Sequence, residues 1–299
     1  MINQDLLDIF RVKPGKKVRL ADLDPGWAQT KELKELGKGA VKDRAKEILD
    51  KNLEDLAEAQ ELLYADDRYA LLIVLQAMDA AGKDGTIKHV MSGVNPQGCQ
   101  VFSFKKPTAE ELDHNFLWRY MKCLPERGRI GIFNRSYYED VLVVKVHPEL
   151  LDAGKLPPGK RGKSFWEARY DDINAFERHL VRNGIVVVKF FLNVSRDEQK
   201  RRFLERLDRP DKHWKFSAAD MAERGFWDDY MSAYEDALSA TSTEEAPWYV
   251  VPADHKWVTR TVVADVLTST IHALDLKFPE VTDEQRKALA EARKRLENE

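Results

Sequence analysis

The sequence predicts an α/β fold, a five-stranded parallel sheet covered by helices on both faces. Three observations carry this. Five short runs are almost continuously apolar, as strands buried on both sides must be. Long segments of helical character separate them, the spacing of crossover connections. The first run ends in a turn of small residues and leads straight into a helix, a strand–turn–helix unit.

Taken in order, residues 1–27 read as irregular, with Pro14-Gly15 and Pro25-Gly26 as turn punctuation. Residues 28–64 read as helix, rich in Lys, Glu, Leu and Ala, with a break near Gly37 to Gly39. Leu49, Leu53, Leu56 and Leu63 form an apolar stripe at helical spacing. The strands are expected at 70–77, 100–104, 129–134, 185–194 and 248–252. The first strand is followed by a helix over Thr86 to Met91. Residues 152–170 form a Gly/Pro-rich basic loop that runs into a helix. The chain closes on a helix of alternating charge from Thr282 to Glu299, a solvated surface element. The expected organisation is a segment 1–66 packing on the core and a main domain 67–299, with a lid at about 196–225.

Bulk properties narrow the class. The 299 residues carry 48 Lys and Arg against 51 Asp and Glu, a net charge of −3, so any polyanion must be met by a local patch. Cys99 and Cys123 have no metal or redox spacing, which fits a reducing cytoplasm. The start MINQDLLDIF lacks the pattern of a secretory signal, and no apolar run is long enough to span a bilayer. The expectation is a soluble, cytoplasmic protein without membrane contact. The seven histidines show no zinc spacing, and Ser136 and Ser164 lack a nucleophile-elbow pattern.

The stretch LLIVLQAMDAAGKDG, residues 71–85, has the layout of a phosphate-binding loop. Small residues Ala80, Ala81, Gly82 and Gly85 let backbone amides curl round an anion, and Lys83 reaches a terminal phosphate. The motif departs from G-x-x-x-x-G-K-S/T at two places: Ala77 replaces the first glycine, and Asp84 replaces the hydroxyl residue. Asp79 adds a second carboxylate. Two acidic groups in a phosphate cradle are unfavourable unless a cation or basic side chains offset them.

A second constellation is RIGIFNRSYYED, residues 129–140. A strand ending in Asp would place a magnesium ligand beside the loop; here it ends in Asn134, a weaker ligand. Glu139 could supply the missing carboxylate. Arg135 leaves the same strand end and offers a planar fork for phosphate. Ser136 with Glu139 three residues later also reads as a capping box. The third constellation, 196–216, has Lys and Arg outnumbering Asp and Glu eight to five. It follows the fourth strand, where α/β phosphotransferases carry a mobile lid. Arg202 and Arg206 share a helix face, and Lys212 and Lys215 lie beside Trp214 and Phe216. The plainer reading of such a run is a solvated helical face. Lys105-Lys106 and Lys160 to Lys163 would extend a basic groove suited to a long anion.

Together, residues 78–98 (MDAAGKDGTIKHVMSGVNPQG), 133–143 (FNRSYYEDVLV) and 201–217 (RRFLERLDRPDKHWKFS) resemble the polyphosphate kinase 2 family. The similarity runs from about residue 30 to residue 275. Asn134 with Glu139 is similar to the subgroup, class III, that phosphorylates both AMP and ADP. The resemblance implies a P-loop kinase-like three-layer α/β/α fold with a helical lid. It further implies a phosphotransferase that moves the terminal phosphoryl group of inorganic polyphosphate to adenine nucleotides, with guanine nucleotides as further acceptors. Mg2+ would be the cofactor and Mn2+ a substitute, with Asp79 and Glu139 as its ligands. Asp79, Lys83, Asn134, Arg135 and Glu139 would carry the transfer. Ala80, Ala81, Gly82, Asp84, Gly85, Lys105, Arg202, Arg206 and Lys215 would bind phosphate. A homo-oligomer is expected, and no nucleic acid as partner.

Two other readings of the residues stand beside this one. An ATP-dependent nucleoside monophosphate kinase would want Ser or Thr after Gly-Lys, against which Asp84 argues. A non-enzymatic polyanion-binding module would leave the carboxylates around the loop unexplained; its mark would be salt-sensitive binding without turnover.

Overall fold

The computed structural model describes residues 8–28, 38–154, 156–215 and 217–299, and for 38–46 and Lys215 the backbone alone. The strands are β1 Ala70–Gln76, β2 Cys99–Ser103, β3 Ile130–Asn134, β4 Ile185–Asn193 and β5 Trp248–Pro252. They form one sheet of order β2-β3-β1-β4-β5, and every neighbouring pair is parallel. Each strand falls within a residue of its expected bounds.

All seven residues of β1 are buried, so the strand is covered on both faces. Fully burying side chains such as Leu71, Leu72 and Ile73 contributes about 1.5–3 kcal/mol each. The main helices are α1 Lys38–Asp66 before β1, α2 Lys83–Val90, α3 Lys163–Arg182, α4 Arg196–Leu207, α5 Ala218–Glu223 and α6 Trp227–Thr241 between the strands, and α7 Lys256–His272 and α8 Asp283–Glu297 after β5. Helices α1 and α2 both pack on α7, and α3 packs on α6; these two groups cover the two faces. The α1 stripe is real in part: Leu56 and Leu63 are fully buried, Leu49 and Leu53 half-buried. The α1 helix begins at Lys38 and runs through Gly39; residues 29–37 of the expected helix lie outside the described ones.

The early segment is tied down. Val12 N donates to Trp248 O (2.8 Å), and Arg11 bridges Tyr249 antiparallel, closing the outer edge of β5. Phe10, Val12, Val18 and Leu20 join the main core. At the other end, α8 has no buried residue and starts on a Thr282–Gln285 capping box, the solvated helix its charge pattern predicts.

Two helix starts differ from expectation. Helix α2 begins at Lys83, three residues early, because Gly82 at φ 110° turns the chain directly into it. The segment after Ser136 is a single 3-10 turn, Tyr137–Asp140. Ser136 Oγ accepts from Tyr138 N (3.2 Å), but Glu139 turns away to Arg135, so the capping box is only half made.

Beneath that turn lies a buried polar network. Lys189 of β4 pairs with Glu177 of α3, both inaccessible to solvent. The phenols of Tyr137 and Tyr138 donate to Glu177 Oε1 (2.8 and 2.9 Å), and Lys189 Nζ also reaches Thr241 O (2.7 Å). A buried charge pair needs such satisfaction to be tolerated at all.

Candidate active site

The chain reverses its direction across the sheet at β1, so a crevice opens at the C-terminal ends of β1, β3 and β4. A cavity of about 1200 Å³ occupies this position. Residues 79–86 form its floor; Ser103 to Lys106 at the end of β2, Asn134 and Arg135 at the end of β3, Arg206 of α4, Lys212, and Asp220 of α5 form its sides. Lys256, Thr259 and Arg260, from the start of α7, complete the rim.

The loop is a nest. Ala80 (φ 60°) and Gly82 (φ 110°) both take the left-handed conformation, and Ala81 N closes a turn to Met78 O (3.3 Å). For alanine that conformation is strained, so surrounding contacts must hold it. Those contacts come from α4. Gln199 Nε2 donates to Asp79 O (2.9 Å), and Arg202 Nη1 to Ala80 O (3.2 Å) and Ala81 O (2.6 Å). Arg202 Nη2 reaches across to Ala253 O (2.5 Å) and Asp254 O (3.2 Å), and its Nε to Glu198 (2.7 Å). The guanidinium of Arg202 is thereby committed to the back of the loop.

Lys83 is buried, with Nζ donating to Ala77 O (2.8 Å). Burial, and next the Arg135 charge, push its pKa below the ordinary lysine value, while Asp79, Glu139 and Asp84 oppose the shift. Arg135 has φ 64°, another strained non-glycine residue beside the loop. It bridges Asp79 Oδ1 (2.7 Å) and Glu139 Oε2 (3.2 Å), and Glu139 followed by Asp79 raises its pKa further. The two carboxylates expected to hold a metal are therefore joined through an arginine.

The departure in the loop at Asp84 and the departure at the end of β3, Asn134, meet in space. Asn134 Nδ2 donates to Asp84 Oδ1 (2.9 Å) and lies 3.4 Å from Ser103 Oγ. In the usual arrangement the strand carries the carboxylate and the helix a hydroxyl. Here the carboxylate sits on the helix and the strand supplies a neutral donor to it.

Among the described residues, no three His, Cys, Asp or Glu side chains converge as a metal-binding group. The cavity nonetheless presents Asp79, Asp84, Glu205 and Asp220. A few carboxylates without a closed ligand set suit a hard divalent cation that keeps waters and takes its remaining ligands from substrate phosphates.

Of the expected site residues, the structure brings Asp79 to Gly85, Lys105, Asn134, Arg135, Arg202 and Arg206 to one cavity. Arg206 sits 3.7 Å from Asp220, whose pKa is raised by burial and by Asp79. The Lys215 side chain lies outside the described residues. The basic residues 160–163 are not on the wall; Lys163 pairs with Glu167 on α3 (3.6 Å). Arg201 and Arg209 follow the plainer reading, pairing with Glu198 and Asp211 at the surface.

Several site residues escaped the sequence reading. Gln76 ends β1 fully buried; with its amide turned to satisfy both ends, it donates to Glu139 Oε1 (2.9 Å) and accepts from Ser136 N (3.0 Å). A glutamine closing an otherwise apolar strand was the available signal. Gln199, Asp220, Lys256 and Arg260 gave none, because tertiary folding alone brings them to the loop.

The chain is similar to known proteins over most of its length. The family model described as Polyphosphate kinase 2 matches residues 39–279. An ADP-polyphosphate phosphotransferase of Rhodopseudomonas palustris is 52% identical over 292 residues, covering 96% of this chain and 97% of the relative. An AMP/ADP-polyphosphate phosphotransferase of Meiothermus ruber is 44% identical over 282 residues, covering 94% and 99%. The crystal structure of Polyphosphate Kinase 2 from Arthrobacter aurescens superposes with a TM-score of 0.82 at 41% identity, covering 95% of this chain and 96% of that one.

Proposed function

The chain belongs to the polyphosphate kinase 2 family, and on that premise we propose that it transfers the terminal phosphoryl group of inorganic polyphosphate to AMP and ADP. One observation carries the reading: a single cavity combines an amide nest and Lys83 with basic side chains from three further elements, enough to receive a long anion. Those elements are the end of β2 (Lys105, Lys106), the lid (Arg206, Lys212) and the start of α7 (Lys256, Arg260).

The nucleophile is a terminal phosphate oxygen of the acceptor nucleotide. It is already anionic, so catalysis needs no strong base and consists of alignment and charge neutralisation. Lys83 and the amides of the nest hold a phosphate; Arg135, poised between Asp79 and Glu139, offsets charge on the transferred group. Arg206 and Lys105 neutralise the donor chain. Arg202 serves by holding the loop in shape. Asn134 keeps Asp84 turned toward the strand end, and Gln76 keeps Glu139 on Arg135. Asp79, with Glu139 behind it, would hold Mg2+, or Mn2+ in its place, together with substrate phosphates; the cation would supply further charge neutralisation.

The test is an acceptor matrix of AMP, ADP and GDP against polyphosphate with Mg2+. ADP and ATP should form from the adenine nucleotides, with GTP from GDP as the further arm. Failure of both AMP and ADP to accept phosphate would overturn the proposal.

A further inference from the structure

We infer that Gln199 is a positioning residue of the transfer reaction, and that Arg224 holds it in place. The inference rests on the phosphate-transfer reading of the cavity and extends it to side chains that never touch substrate.

In a trans peptide the C=O and the next N–H point in opposite directions. Gln199 draws the Asp79 carbonyl toward α4 (2.9 Å), which turns the Ala80 amide the other way. Arg202 does the same for the Ala81 carbonyl (2.6 Å) and hence the Gly82 amide. Between them, Ala81 N is used up by Met78 O. The two aimed amides belong to the two residues with positive φ, so Gln199 and Arg202 each stabilise one half of the nest. Arg202 has several independent partners to lock it. Gln199 is 1% exposed, and among the described residues the other partner of its side chain is Arg224, whose Nη1 donates to Gln199 Oε1 at 2.6 Å.

Arg224 lies where the lid returns to the body. The same Nη1 also donates to Arg196 O (2.8 Å), at the start of α4. One arginine thus ties the outgoing and returning roots of the lid and orients the glutamine that holds Asp79. Its neighbour Glu223 accepts from Tyr230 (2.6 Å) and pairs with His147 (2.9 Å), pinning the returning root. The lid roots and the loop form one hydrogen-bonded unit, which sets both the Ala80 amide and the aim of the Asp79 side chain.

Gln199→Glu separates the two contacts: the new carboxylate still accepts from Arg224 but cannot donate to Asp79 O. The full-length variant should lose about 10²-fold in kcat, the cost of a small misplacement of reacting groups, while KM for ADP stays within about threefold. Inorganic tripolyphosphate, titrated calorimetrically without nucleotide, should bind about tenfold more weakly. Arg224→Met, which breaks only the outer link, should lower kcat in the same sense by a smaller factor. Wild-type kcat and tripolyphosphate affinity in Gln199→Glu would overturn the positioning role, as would a rate loss matched by loss of folded protein. A wild-type chain that fails to bind tripolyphosphate would overturn the site reading as well.

Discussion

Replacing Asn134 by Asp would put a carboxylate where an amide now donates to Asp84 at 2.9 Å. Two carboxylates with charge centres about 4 Å apart repel by about 4 kcal/mol at the effective dielectric of a partly buried site. That corresponds to roughly three pKa units, so the metal-free pair retains one proton near neutrality. The sign follows from the raised folded-state pKa. Below the ordinary carboxylate value near pH 4 the pair costs nothing; as pH rises through the raised value, stability falls by the full repulsion. About 3 kcal/mol of that loss falls between pH 5 and pH 8, which for a chain of this size should lower Tm by about 5 °C. A divalent cation bridging the carboxylates should restore it. The assay is thermal unfolding of Asn134→Asp and wild type at both pH values, with and without Mg2+. A variant that melts like wild type at pH 8 without metal would refute the facing geometry of residues 84 and 134.

Lys83→Met and Asp79→Asn should each lower turnover by two or more orders of magnitude with Tm little changed, since both remove charge at the loop and leave the core intact; near-normal steady-state rates in either variant would sink the assignment. Glu177→Gln strands the buried ammonium of Lys189 and should destabilise the fold by about 3–5 kcal/mol in denaturant titration. The Arg201 and then the Arg202 hydrogen bond hold the Glu198 carboxyl at about 2, below its ordinary value. Its contribution is therefore complete above the ordinary carboxylate range and lost as pH falls toward 2, so a Glu198→Gln chain should unfold at higher pH than wild type, with the stability gap between the two closing as pH falls toward 2 in denaturant titrations.

The backbone plan was legible in the sequence because burial on both faces leaves continuous apolar runs, and β1 to β5 lie where those runs lie. The loop was legible because a nest needs small residues at fixed spacing. What stayed hidden is which side chains face backbone rather than substrate. Arg202 and Arg206, one turn apart on α4, read alike, yet Arg202 meets the carbonyls of Ala80, Ala81, Ala253 and Asp254, all of them more than 50 residues away, while Arg206 faces Asp220. No local pattern records that difference. Gln199, Asp220, Lys256 and Arg260 were hidden for the same reason. The Asp84 and Asn134 departures were each visible as oddities; only the fold shows that they form one hydrogen bond.

The most direct test of the account supplies inorganic polyphosphate as the sole phosphoryl donor, with AMP, Mg2+ and nucleotide-free protein, and follows products by 31P NMR. The account predicts ADP and then ATP formed as polyphosphate end groups are consumed, with Lys83→Met at background. Product formation only when ATP replaces polyphosphate as donor would contradict it.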